Sequence, residues 1–172
     1  MNLKDYIAIR EDWPKPGISF KDITPLTQDA DAFKEATDLM TEPFKGLGVT
    51  KVLCADARGF IFGGPIAINL KAGMSIARKP NKLPFVAGSE DYGLEYGENT
   101  LQIAPGAVNP GDKVLIVDDL LATGGSARAL ANLAKKAGGE VVGYSVLVEL
   151  TGLKARDKLD NVPIHSLIQY EF

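Results

Sequence analysis

The sequence predicts an α/β fold built on a doubly wound parallel sheet. Three observations carry this. Short β-branched apolar runs alternate with helical stretches, the runs are almost continuously apolar, and the turns between them carry glycine, charge and hydroxyl groups. Alternating strands and helices imply parallel strands joined by right-handed crossovers. Continuous apolar runs imply strands covered on both faces.

The elements follow in order. Residues 1–12 read as an amphipathic helix with Leu3, Tyr6, Ile7 and Ile9 on one side. "WPKPGISFKDITPL" is too rich in proline for regular structure. From Asp29 to Gly46 the pattern is helical, with Asp29 or Asp31 as its cap. Strands are expected at Val49–Ala55, Met74–Ala77, Lys113–Val117 and Val141–Glu149. Helices are expected at "FIFGGPIAINLKAG" and at "GSARALANLAKKAGG". The second closes on Lys135, Lys136 and a Gly-Gly stop, as a helix C-terminus should. Residues 83–111 have no helical period and read as two extended arms around a mobile loop; long loops in compact domains are usually functional.

Bulk properties narrow the function. A chain of 172 residues suits one domain. Its net charge of −3 offers no basic field for nucleic acid or an anionic membrane surface. No 18-residue apolar window or signal-like N-terminal run occurs, so a cytoplasmic protein without a membrane partner is expected. One cysteine, Cys54, excludes an internal disulfide and reads as a small buried hydrophobe. With one histidine, His165, His/Cys metal clusters are excluded and triad hydrolysis is disfavoured. His165 lies in the apolar context "VPIHSLI" and reads as structural.

The chemistry concentrates in "VLIVDDLLATGGSA", Val114 to Ala127. In a doubly wound sheet, ligands bind beyond the carboxyl ends of the strands, where this run delivers Asp118 and Asp119. The next turn opens a helix, whose N-terminal N–H groups and dipole attract phosphate. Gly124 and Gly125 let backbone from Ala122 onward wrap an anion, and Thr123 and Ser126 add hydroxyl donors. Paired carboxylates beside a phosphate cradle suit a ribose 5-phosphate, since they accept hydrogen bonds from vicinal hydroxyls. They can also help hold Mg²⁺, directly or through water. Neither the Walker pattern nor G-x-G-x-x-G is present. The competing reading is a solvated acidic turn followed by a helix cap.

This stretch closely resembles the phosphoribosyl-diphosphate motif of the type I phosphoribosyltransferases. "ADARGFIFGGPIA", "ARKPNKLP", "LEYG", "PGISFKDITPL" and "SLIQYE" are similar, in order, to segments of the adenine phosphoribosyltransferase family. The resemblance implies a core sheet with a small hood (residues 1–35) that binds the base and a mobile β-arm insert (83–111). It implies transfer of phosphoribose from 5-phospho-α-D-ribose 1-diphosphate (PRPP) to adenine, giving AMP and diphosphate in purine salvage.

The residue roles follow from the same resemblance. Arg58, with Lys79, Lys82 and the adjoining Arg78, would stabilise the diphosphate; a guanidinium pairs with phosphate oxygens bidentately. A surface ion pair is the plain alternative for Arg58. A cis peptide is implied at Asp56–Ala57 or Ala57–Arg58. Glu95 would manage the proton on purine N7 and Tyr96 would cover the site. Phe20 would stack on adenine, with Leu120 on the other face and the backbone of Ser19 and Lys21 reading the ring edge. Mg²⁺ would be held mainly by PRPP, with no protein ligand directly assigned beyond Asp118 and Asp119. A homodimer is implied, with the Arg78–Lys82 region near the partner. Transfer to another base and a non-catalytic regulator that keeps the sugar-phosphate site stay as alternatives.

Overall fold

A computed structural model describes residues 1–92 and 99–171. Among these, the elements are β1 (Ala8–Arg10), β2 (Phe20–Asp22), α1 (Thr24–Gln28), α2 (Ala30–Thr41), β3 (Lys51–Ala55), α3 (Gly59–Leu70) and β4 (Gly73–Ala77). They continue with β5 (Gly88–Tyr92), β6 (Asn99–Ile103), β7 (Lys113–Leu121), α4 (Gly125–Lys136), β8 (Glu140–Leu150) and β9 (Ile164–Tyr170). The central sheet is parallel throughout, in the order β4-β3-β7-β8-β9. The chain steps from β3 outward to β4, then returns to place β7 on the other side of β3. Strand order therefore reverses between β3 and β7, and a doubly wound sheet opens its ligand crevice at such a reversal.

Both faces of the sheet are buried, as the continuous apolar runs require. Val52, Cys54, Leu115 and Val117 pack beneath α2 and α3 with Met40, Phe62 and Ile66. Leu53, Ala55, Val114 and Ile116 face the opposite way, against Leu130, Leu133 and Ala134 of α4. Cys54 is fully buried, and loss of water pushes its thiol up to about 12. It has the inert character of a core thiol.

Segment 83–111 contributes the antiparallel ribbon β5-β6. Leu101 and Ile103 bury its inner face against α4. Backbone bonds of Arg78 with Gln102, 2.9 and 2.8 Å, join the ribbon to the end of β4. Glu90 of β5 pairs with Lys136 of α4. Two extended arms are thus present where the sequence predicted them.

Four expectations needed correction. "WPKPGISFKDITPL" is not irregular throughout: Phe20–Asp22 forms β2, and Thr24–Gln28 forms α1, whose first turn accepts Pro25 because the N–H it lacks would have no partner there. Residues 1–12 are not a helix: a 3-10 turn at Leu3–Tyr6 leads into β1, which pairs with β2. Leu3 and Ile7 are buried while Ile9 is exposed. Spacing alone could not separate that pattern from a helical face. The helix predicted over Asp29–Gly46 stops at Thr41, where Glu42-Pro43-Phe44 tightens into a 3-10 turn. Its cap is Asp29, whose carboxylate accepts the Ala32 N–H at 2.9 Å. Strand β7 runs four residues beyond Val117, so Asp118 and Asp119 lie within the ladder, Asp118 opposite Val146 of β8.

Candidate active site

A cavity of about 930 Å³ opens at the carboxyl ends of β3 and β7, at the reversal point. Its wall combines the turn after β3 (Asp56, Ala57, Arg58), the end of β7 (Asp118, Asp119, Leu120) and the turn into α4 (Ala122 to Ser126). Topology thus brings together two segments about sixty residues apart, by the pairing of β3 directly with β7.

The acid pair is asymmetric. Asp119 is buried, and its carboxylate takes Nε of Arg58 at 2.9 Å. Arg58 therefore does form an ion pair, but inside the cavity, to one of the two acids. Asp118 accepts the Asp119 backbone N–H at 2.8 Å and stands 3.5 Å from the Ser126 hydroxyl. The start of α3 presses against it: a Cβ at Gly59 would stand 3.1 Å from Asp118 Oδ1. Burial first, then the neighbouring Asp119 charge, raises the Asp118 carboxyl well above its ordinary range. The pair thus holds one carboxylate balanced by a guanidinium and a second that resists ionisation. Such tension between adjacent groups is typical of functional sites.

The turn into α4 presents backbone to the cavity. Gly124 caps α4 with φ of 92°, a left-handed conformation that suits glycine. A Cβ there would also stand 3.1 Å from the Ala155 side chain and 3.3 Å from its carbonyl. Gly125 begins the helix, so the unpaired N–H groups of its first turn lie at the cavity wall. Thr123 and Ser126 line the same wall.

The remaining predicted residues distribute unevenly. The Asp56–Ala57 peptide is cis, one of the two positions implied. Leu120 lines the cavity. Phe20 lies nearby, its ring 5.7 Å from the Arg58 guanidinium and 4.9 Å from Trp13, edge to face. Ser19 and Lys21 stand behind it: Lys21 Nζ donates to Ser19 Oγ at 2.7 Å and lies over the Tyr170 ring. Lys79 and Lys82 are exposed and fall outside the described cavity lining. Arg78 is turned to Asp56, with Nε at 3.2 Å. Glu95 and Tyr96 lie outside the described residues.

Other lining residues went unforeseen: Asp91, Tyr92 and Asn99 from the ribbon, Arg128 and Asn132 from α4, and Lys158 from the β8–β9 connection. Helical spacing from Gly125 puts Arg128 and Asn132 four residues apart on one face, a signal that was available. Nothing in the local sequence around Lys158 points to the cavity.

A model of the phosphoribosyl transferase domain matches residues 26–167. The adenine phosphoribosyltransferase of Desulforamulus reducens is 50% identical over 171 residues, 99% of each chain. The crystal structure of adenine phosphoribosyltransferase from Thermoanaerobacter pseudethanolicus superimposes with a TM-score of 0.93 at 45% identity, covering 98% of both chains. The Saccharomyces cerevisiae enzyme, complexed with D-2,5-dideoxy-2,5-imino-altritol 1,6-bisphosphate and adenine, does so with a TM-score of 0.89 at 33% identity, over 96% of each chain.

Proposed function

The chain belongs to the phosphoribosyltransferase family, and we propose that it is the adenine-specific pentosyltransferase of purine salvage. It converts adenine and PRPP to AMP and diphosphate. The observation that carries the site assignment is the acid pair at the end of β7, in one cavity with the N-terminus of α4 and with Arg58. The yeast relative's complex with adenine and a sugar-like bisphosphate supports the same pairing of ligands.

In this reading the cradle from Ala122 to Ser126 takes the 5-phosphate, through the N–H groups of α4 and the Thr123 and Ser126 hydroxyls. Asp118 and Asp119 accept hydrogen bonds from the ribose hydroxyls. Arg58, fixed by Asp119, presents the rest of its guanidinium to the diphosphate. Adenine N9 attacks ribose C1 while the bond to the diphosphate oxygen breaks, with oxocarbenium character at C1 by analogy with glycoside cleavage. No protein nucleophile is required; positioning and fixed charge lower the barrier. Glu95 would take the N7 proton and Tyr96 would cover the site. Phe20 and Leu120 would hold the purine, with the backbone of Ser19 and Lys21 reading its amino edge. Lys79 and Lys82 would add charge for the diphosphate from the end of β4.

Among the described residues, no three His, Cys, Asp or Glu side chains converge as a metal cage. The two carboxyls in the cavity, Asp118 and Asp119, fit Mg²⁺ carried by PRPP, since magnesium keeps several waters and needs only one or two carboxylates. Asp118 and Asp119 would hold it, and the ion would neutralise charge on the leaving diphosphate. A homodimer belongs to the same proposal and is supported by exposed Ile61 and Ile68, seven residues apart on α3, beside exposed Met74 and Ile76 of edge strand β4. A cytoplasmic location is likewise part of it.

The test is product formation from PRPP and Mg²⁺ with adenine, hypoxanthine, guanine and orotate in competition. AMP should dominate. A preference for an oxo-purine or orotate would overturn the base assignment, and no product from any base would overturn the transferase reading.

A further inference from the structure

The cradle from Ala122 to Ser126 holds no cation of its own. Its donors, backbone N–H groups and two hydroxyls, are neutral, and two acids stand beside it. Arg58 is committed to Asp119 and Arg78 to Asp56. Arg128, in the first turn of α4, also lines the cavity, and a phosphate dianion held by the cradle gains a charge-assisted hydrogen bond from any ammonium beside it. The connection from β8 to β9, residues 151–163, supplies one. Lys158 lines the cavity, and its Nζ donates to the Thr123 carbonyl at 3.1 Å. An ammonium has three N–H donors, so one bond to the carbonyl leaves two to offer a phosphate oxygen.

The turn that carries Lys158 is pinned on both sides. On one side Glu149, buried at 3% exposure, receives Arg156 through Nε at 2.9 Å and Nη2 at 2.8 Å, and Ser166 Oγ at 2.7 Å. Such a bidentate pair fixes orientation as well as distance. On the other side Asp160 accepts the Tyr144 hydroxyl at 3.1 Å and pairs with Lys135 of α4. Between them, buried Ala155 closes on the bare face of Gly124. An exposed turn with no role at the cradle would not need both anchors and a close approach to the helix cap.

We propose that the β8–β9 connection is the second half of the 5-phosphate site, with Lys158 as its cation and the Glu149–Arg156 pair as the element that positions it. This rests on the phosphoribosyl reading above. It goes further by assigning a binding residue and a positioning pair from a segment outside the phosphate motif.

The full-length enzyme tests it. Lys158→Met keeps the length of the side chain and removes its charge. Loss of a charged hydrogen bond should raise KM for PRPP about tenfold or more, with kcat and KM for adenine within about threefold of wild type. Ribose 5-phosphate should no longer protect the variant against heat, while diphosphate should protect it as in wild type. Lys158→Arg should restore most of the loss. Glu149→Gln should show the same KM selectivity, and adding it to Lys158→Met should raise KM for PRPP by less than about twofold further, because the two act through one contact. The proposal falls if Lys158→Met leaves KM for PRPP unchanged, raises KM for adenine equally, or loses diphosphate protection too. Should Glu149→Gln not fold, the Met and Arg variants of Lys158 still decide. If wild-type enzyme makes no AMP and is not protected by ribose 5-phosphate, the phosphoribosyl reading itself fails. If wild type responds and Lys158→Met matches it, only this inference does.

Discussion

Replacing Asp118 by Asn should make the protein more stable and a worse enzyme. The carboxyl is held at the end of β7 beside the charge of Asp119, with Arg58 paired to Asp119 rather than to it. Two like charges on adjacent side chains at an effective dielectric constant near 20 repel by a few kcal/mol as an order of magnitude. The Arg58 guanidinium offsets part of this, leaving about 1–2 kcal/mol to be gained by neutralisation, or roughly 2–8 °C in Tm for a chain of this size. The swap is nearly isosteric. An amide oxygen still accepts the Asp119 N–H, and the amide nitrogen can donate to Ser126.

The pH dependence carries a sign. Burial, and then the Asp119 charge, raises this carboxyl above its ordinary value of 3.8, so folding favours its protonated form. Wild-type stability should therefore decline as pH rises above that value and through the folded pKa, once the acid must ionise inside the fold. Asn has nothing to ionise, so the stability advantage of the variant should be small near pH ~4–5 and widen towards pH ~8. Meanwhile the ribose loses a carboxyl partner for its hydroxyls, and kcat/KM for PRPP should fall about tenfold or more. Thermal melts across the pH series, paired with initial rates, check both halves. A variant whose Tm is equal to or below wild type at the alkaline end would refute the electrostatic account. Unchanged kcat/KM would remove Asp118 from the ribose site.

Two further substitutions probe the neighbouring parts. Arg58→Ala strips Asp119 of its 2.9 Å partner and should raise KM for PRPP at least about tenfold, with a loss of roughly 1–3 kcal/mol in stability from the unpaired acid; steady-state kinetics and urea melts read the two effects. Gly124→Ala forces a side chain into a left-handed φ of 92° and against Ala155. It should cost about 2–3 kcal/mol, or roughly 4–12 °C in Tm, and weaken PRPP binding; a melt within a degree of wild type would show that the cap relaxes freely.

Much of this was legible in the sequence, for physical reasons that stay local. A continuous apolar run reports burial on both faces, and Val114 to Val117 do alternate between the two cores. Gly124 after the paired acids announces a tight turn into a helix, because few other residues permit its left-handed φ of 92°. Where two local signals competed, locality failed: Leu3, Ile7 and Ile9 fit a helix by spacing, and only pairing with β2 made Ala8–Arg10 a strand.

The sequence alone therefore determined the parallel α/β class and, as components, the acid pair, the glycine turn into α4 and the adjacent arginine. Only the tertiary structure decided that β3 would lie beside β7, that Arg58 would spend itself on Asp119, and that Lys158 would reach Thr123 across thirty-five residues of chain. The reason is range. Backbone conformation and burial are written within a few neighbouring residues, whereas strand order and a contact between distant side chains are settled by packing the whole sheet at once.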